Sequence, residues 1–240
     1  MEETKIYKFI KSLTERAEKA EDRRRFVFRT FLLFIAFLLL AVLQWIAITA
    51  LAGNKITALV YSHESALLIV FFMSIMFFLV FAVSSQIRKM ACMNWVLTLL
   101  VIEGQILAIG LLVVNTNMLR LLIGFLAALI FIVMSSLIAI FVSFDLTKYA
   151  TLLFLVDFLL LVFCIYTITY FLILHLSWPF FLYAFIVVML VLPIVMYHVQ
   201  SVMGNGQERT GLKDDKLSAL LLFHDFLALY MLTFYWRPTK

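Results

Sequence analysis

The chain has 240 residues, of which 65% are hydrophobic and only 14% charged, and its formal net charge is +5. A soluble domain of this length cannot bury so much apolar surface, because too little polar surface would remain to face water. The composition therefore excludes a soluble fold and predicts an all-α, polytopic membrane protein. A transmembrane barrel is disfavoured, since the apolar runs are continuous rather than alternating.

The first 25 residues form a polar leader that carries eight basic and six acidic side chains. Apolar residues in this leader recur at the spacing of one helical face, namely Ile6, Phe9, Ile10 and Leu13. This spacing is typical of a short helix on the membrane surface, and a solvated leader fits it equally well. A nucleic-acid partner is not expected, because acidic residues interrupt the basic run and a membrane span adjoins it.

Seven apolar runs follow the leader, each close to the roughly 20 residues that cross a bilayer. The lipid bilayer is therefore the first expected partner. A bundle of seven transmembrane helices would occupy residues 26–236 and leave residues 237–240 as a short lumenal tail. We expect the spans near 30–52, 66–87, 93–114, 118–143, 149–174, 180–199 and 217–236.

The distribution of basic residues predicts the orientation of this bundle. If the N-terminus is cytosolic, the leader and the alternate loops on its side carry fourteen Lys and Arg residues. The opposite side carries four, which are Lys55, Arg120, Arg237 and Lys240. Because cytosolic segments are enriched in basic residues, we expect a cytosolic N-terminus and a lumenal C-terminus.

Six ionisable residues lie within or beside the predicted spans: Arg29, Glu103, Asp157, His198, His224 and Asp225. Inserting such a side chain into the membrane costs roughly 2.5–3.5 kcal/mol. A side chain that is present at this cost is a candidate for function. At about 1.5 Å per residue, Asp157, His198 and Asp225 lie roughly 9–12 Å from the cytosolic side, so a polar cluster is predicted there.

His198 is the expected partner of Asp225, because the two residues lie at similar depth on consecutive spans. Glu103 lies nearer the middle of the membrane. The structural alternative is that these groups only pair and hold helices together, while Arg29 extends to the headgroups and His224 faces them or a neighbouring carbonyl.

Two C-terminal segments, residues 197–204 (YHVQSVMG) and 222–230 (LFHDFLALY), resemble the signature of the Bax-inhibitor/Lifeguard family. Residues 25–29 (RFVFR), 89–94 (KMACMN) and 144–147 (FDLT) are similar to connecting segments of the same family, in the same order. The resemblance covers nearly the whole chain from Arg23 onward.

This resemblance implies a seven-helix bundle in the endoplasmic reticulum or Golgi membrane that leaks Ca²⁺ and restrains apoptosis. It also implies apoptosis-regulating membrane proteins as partners. In the family, paired aspartates on the last two helices form a proton-sensitive latch at the cytosolic end of the pore. Asp225 matches one of them, whereas His198 replaces the other. No cofactor is expected, and Ca²⁺ would be the permeant ion with Asp225 as a weak contact.

Two functions from different classes remain open. A channel or leak pathway would use Asp225, Asp157 and Glu103 to attract cations, since hard carboxylate oxygens suit Ca²⁺. A non-conducting interaction protein would keep the same scaffold and regulate cell survival through membrane partners. An enzyme is not expected, because the sequence contains no HExxH, GxSxG or paired metal-ligand motif.

Overall fold

The structure is a computed structural model that describes residues 2–51, 64–113, 116–174, 178–204 and 209–234. These residues form eight α-helices and one 3-10 helix, with no β-strand among them. The helices are α1 Glu2–Leu51, α2 Glu64–Val83, α3 Ser85–Lys89, α4 Ala91–Val113, α5 Met118–Phe141, α6 Ala150–Leu174, α7 Trp178–Met203 and α8 Asp215–Phe234. The 3-10 helix, Leu146–Tyr149, precedes α6. The all-α class is therefore confirmed for the described part of the chain.

Three helical segments in the described residues are long and apolar enough to cross a membrane. They are Lys19–Ala50 of α1, Ala91–Gly110 of α4 and Met118–Phe141 of α5. Shorter apolar segments, Ile69–Val83 and Leu190–Met203, belong to α2 and α7. These lengths are compatible with an integral membrane protein, because roughly 20 apolar residues span the hydrocarbon core.

The leader and the first predicted span form one continuous helix of 50 residues, whereas the sequence predicted two separate elements. The reason is local: neither Gly nor Pro occurs between Glu2 and Leu51, so nothing interrupts the i to i−4 hydrogen bonds. At about 1.5 Å per residue, α1 is about 75 Å long. The side chains of residues 2–18, which would distinguish a surface helix from a solvated leader, lie outside the described part.

The last helix, α8, lies at the centre of the fold and packs against α1, α4, α5 and α7. Most of its side chains are buried, among them Phe223, Phe226 and Tyr230. A helix that is buried over most of its circumference belongs in the interior of a bundle rather than at its surface. One face of α8, which includes Leu221 and His224, is only partly buried.

An aromatic stack joins this central helix to α1. The rings of Trp45 and Tyr230 lie nearly parallel, with 4.5 Å between their centroids. The Trp45 indole N–H also donates a hydrogen bond to the Ile106 carbonyl of α4, over 3.0 Å. Because a buried indole N–H needs an acceptor, these contacts fix the positions of α1, α4 and α8 relative to one another.

Connections that the sequence places on one side of the membrane contact one another in the structure. The Arg88 guanidinium donates to the Asp214 carboxylate over 2.8 Å, and to two carbonyls at the end of α2. A cation at this position also offsets the negative end of the helix dipole. Arg23 of α1 donates to the Thr210 carbonyl over 2.8 Å. The start of the α1 span, the link after α2 and the segment before α8 therefore meet at one end of the bundle.

The buried amide of Gln200 holds the link between α5 and α6 in the same region. Its Oε1 accepts the Leu146 backbone N–H and its Nε2 donates to the Phe144 carbonyl, each over 2.9 Å. Backbone groups away from water must find partners in the protein, and a single side chain supplies two here. Gln200 thus acts as a brace for this link.

We expect the Gln200→Leu variant to lose roughly 2–4 kcal/mol of unfolding free energy, because both backbone groups lose their partner. Equilibrium unfolding of the purified protein in detergent measures this loss. The matched control is Gln86→Leu in α3, where the glutamine is exposed and the change should stay within about 0.5 kcal/mol. Equal losses in the two variants would show that Gln200 is not a brace.

Candidate functional site

His198 of α7 and Asp225 of α8 are in direct contact. The His198 Nδ1 lies 2.7 Å from the Asp225 Oδ2, and the two side chains are only 8% and 6% exposed. With the carboxylate ionised, Asp225 can only accept hydrogen bonds, and the tautomer that fits the contact is the one with a proton on Nδ1. The contact predicted from depth and chain order is present in the structure. Each group supplies the partner that a buried polar side chain requires.

His224 is the residue before Asp225, yet it contacts a different part of the bundle. Its ring stacks on that of Phe78 in α2, with 5.4 Å between the centroids and an angle of 8° between the planes. The Gln105 Nε2 of α4 lies 3.4 Å from its Nδ1. Successive side chains on a helix point about 100° apart, so these two residues of α8 face different neighbours. His224 faces α2 and α4 rather than the headgroups.

Glu103 is not part of the pair, because it contacts α1. Both of its carboxylate oxygens lie 3.0 Å from the Gln44 Nε2, which donates to them. Gln44 was not among the predicted site residues, because those were selected as ionisable groups and its amide carries no charge. An amide inside an apolar run is itself a signal, since such a group must find a partner in the protein.

Two predicted residues remain, and the structure describes the side chain of one of them. Arg29 is exposed on α1, as expected of a cation near a membrane boundary. Asp157 lies in α6, and its side chain falls outside the described part of the structure. The predicted cluster of Asp157, His198 and Asp225 is therefore described for two of its three members.

A cavity of about 310 Å³ lies beside the pair, between α2, α6, α7 and α8. The segment before α8 contributes Arg209 and Thr210 at one end of it, and His198 and His224 line it farther along α7 and α8. On α7 the lining extends from Val202 back to Ile194, which is about 12 Å along the helix. One member of the buried pair is therefore reached from this cavity.

The pair offers few ligands to a cation. One oxygen of Asp225 already receives the His198 proton donor, whereas Ca²⁺ takes about six to eight oxygen ligands. In the described part of the chain, no three His, Cys, Asp or Glu side chains are grouped so that they could hold a metal ion. A cation passing this point would be bound weakly.

Comparison with protein-family models, with curated proteins and with solved structures finds no match for this chain.

Proposed function

We propose that this chain is an intracellular-membrane protein of the Bax-inhibitor/Lifeguard type, with seven transmembrane helices. In this proposal it leaks Ca²⁺ across the endoplasmic reticulum or Golgi membrane, or regulates Ca²⁺ homeostasis, and thereby restrains apoptosis. The observation that carries the proposal is the buried contact between His198 and Asp225. Ionisable side chains within apolar helices are costly to insert into a membrane, and those that are present commonly mark an ion pathway.

The contact would act as a latch between α7 and α8. While the imidazole donates to the carboxylate, the contact holds the two helices together beside the cavity that His198 lines. Separation of the two side chains would open a polar path between α7 and α8. A hydrogen bond to a charged acceptor is roughly twice as strong as a neutral one, so the closed state would dominate.

Liposomes that contain the purified full chain and an enclosed Ca²⁺ indicator test the conducting proposal. We expect a slow Ca²⁺ leak that exceeds the leak of empty liposomes and changes little with pH. The absence of any leak from correctly folded protein would overturn conduction.

A non-conducting interaction protein is the second candidate, and a specific observation favours it. Among the described residues that line the cavity, the charged or titratable side chains are Arg209, the two histidines and Tyr197, and none is acidic. Such a lining disfavours cations. This candidate would then regulate cell survival through apoptosis-regulating membrane partners.

The proposed orientation places the N-terminus in the cytosol and the C-terminus in the lumen, on the basis of fourteen basic residues against four. We expect protease added to intact microsomes to remove a tag at the N-terminus and to spare a tag at the C-terminus. Detergent should expose both tags, which is the control. Removal of both tags from intact microsomes would contradict the odd number of spans.

A further inference from the structure

The cavity beside the pair combines a polar end with apolar walls. Arg209, Thr210 and Ser201 line the end formed by the segment before α8. Phe78 of α2 and Phe158 of α6 belong to the walls. Ligand sites are commonly of this kind, with mostly apolar surfaces and a few polar groups that orient the ligand.

The polar end favours an anion. Arg209 is exposed and lines the cavity, and no acidic side chain occurs among the described residues that line it. A second cation, Arg23, lies beside the same segment, because its guanidinium donates to the Thr210 carbonyl over 2.8 Å. Two guanidinium groups near one end of a cleft create a positive potential that a negatively charged group would relieve.

A pair of hydroxyls adds a directed donor at this end. The Ser201 Oγ and the Thr210 Oγ1 lie 2.8 Å apart, and the Thr210 N–H also donates to the Ser201 carbonyl. Each hydroxyl has one proton, so whichever of the two donates to the other leaves one proton for a ligand. Thr210 is bound both by Arg23 and by Ser201, so the position of this pair of hydroxyls is fixed.

The apolar walls suit a single hydrocarbon chain. α2 packs mainly on α4. Farther from the connecting segments, Ile165 of α6 packs against the cluster of Phe71, Ile75 and Ala108, which belongs to α2 and α4. Nearer the connecting segments, Phe78 and Phe158 line the cavity from opposite helices. A volume of about 310 Å³ is at the low end of the range for ligand cavities and fits one chain rather than two.

We propose that this cavity binds a single-chain anionic amphiphile. Its carboxylate or phosphate head would lie with Arg209, Ser201 and Thr210, and its chain would lie between α2 and α6. This binding site does not require that the protein conducts ions, so its test is independent of the test of the proposed Ca²⁺ leak. Because His198 lines the same cavity, an occupant would lie against the pair.

Equilibrium binding of radiolabelled palmitate to the full chain in phosphatidylcholine nanodiscs tests this site. We expect saturable binding of one molecule per chain. Hexadecanol, which lacks the charge, and inorganic phosphate, which lacks the chain, should each compete at least tenfold more weakly than unlabelled palmitate. Hexadecyl phosphate is a second anionic competitor. Stronger competition by hexadecyl phosphate than by unlabelled palmitate would show that the site prefers a phosphate head, and weaker competition would show that it prefers a carboxylate head. Equal competition by hexadecanol or by inorganic phosphate would overturn the proposal.

Two variants locate the site. Arg209→Gln should weaken palmitate binding about tenfold, whereas Lys213→Gln should leave it unchanged, since Lys213 is an exposed cation of the same segment that does not line the cavity. Ala82→Phe should abolish binding by filling the cavity. Equal effects of the Arg209 and Lys213 variants, or unchanged binding by Arg209→Gln, would refute the site. These two exposed positions keep the test valid even where Ala82→Phe fails to fold.

Discussion

We expect the Asp225→Leu variant to lose roughly 2–4 kcal/mol of unfolding free energy. The loss arises because the His198 imidazole keeps a proton donor in an apolar interior without an acceptor. The double variant His198→Leu/Asp225→Leu removes both polar groups, so it should lose clearly less than the sum of the single losses. Equilibrium unfolding in detergent measures Asp225→Leu, His198→Leu and the double variant. The loss of the double variant minus the sum of the two single losses is the interaction energy of the pair.

A matched acid on the same helix serves as the control. Asp215 lies at the start of α8 and is partly accessible, so Asp215→Leu should lose under about 1 kcal/mol. Strictly additive losses at positions 198 and 225 would contradict the contact, because side chains that do not interact show no interaction energy.

The second large effect is expected from His198→Asp, which places two carboxylates in contact between α7 and α8. At pH 7–8 we expect Ca²⁺ flux into liposomes about tenfold above that of the native protein, and a fall in flux on acidification. Two carboxylates in contact share a proton at low pH and hold the helices together. As pH rises both ionise and repel each other, and about 1.4 kcal/mol of repulsion shifts the closed-to-open ratio tenfold.

The native pair should respond differently to pH. A neutral imidazole donates to the carboxylate near pH 7, and an imidazolium forms a stronger, charge-assisted contact at lower pH. The contact therefore persists over the whole range, and native flux should stay low and flat. His224→Asp is the control, since His224 contacts Phe78 and Gln105 instead of the pair and should not produce flux that falls with acid. Identical pH profiles for the native and His198→Asp proteins would remove position 198 from any gate.

Several features of this protein follow from the sequence alone. The membrane class follows from composition, and the helix bounds follow from uninterrupted apolar runs, because both depend on local properties of the chain. The absence of Gly and Pro from residues 2–51 also accounts for the continuous α1, although the change in polarity near residue 25 suggested a division there. The expectation that His198 and Asp225 lie at similar positions along their helices follows from the fixed rise of a helix.

Other features required the tertiary structure. His224 and Asp225 are adjacent in sequence and equally polar, and only the position of α8 among α1, α4, α5 and α7 decides which of them meets His198. The contacts of Gln44 with Glu103 and of Arg88 with Asp214 join residues that are 59 and 126 positions apart. The cavity is lined by residues of four helices, α2, α6, α7 and α8, which are distant from one another in sequence. The periodicity of a helix is a local property, whereas its rotation about its own axis depends on how distant segments pack together.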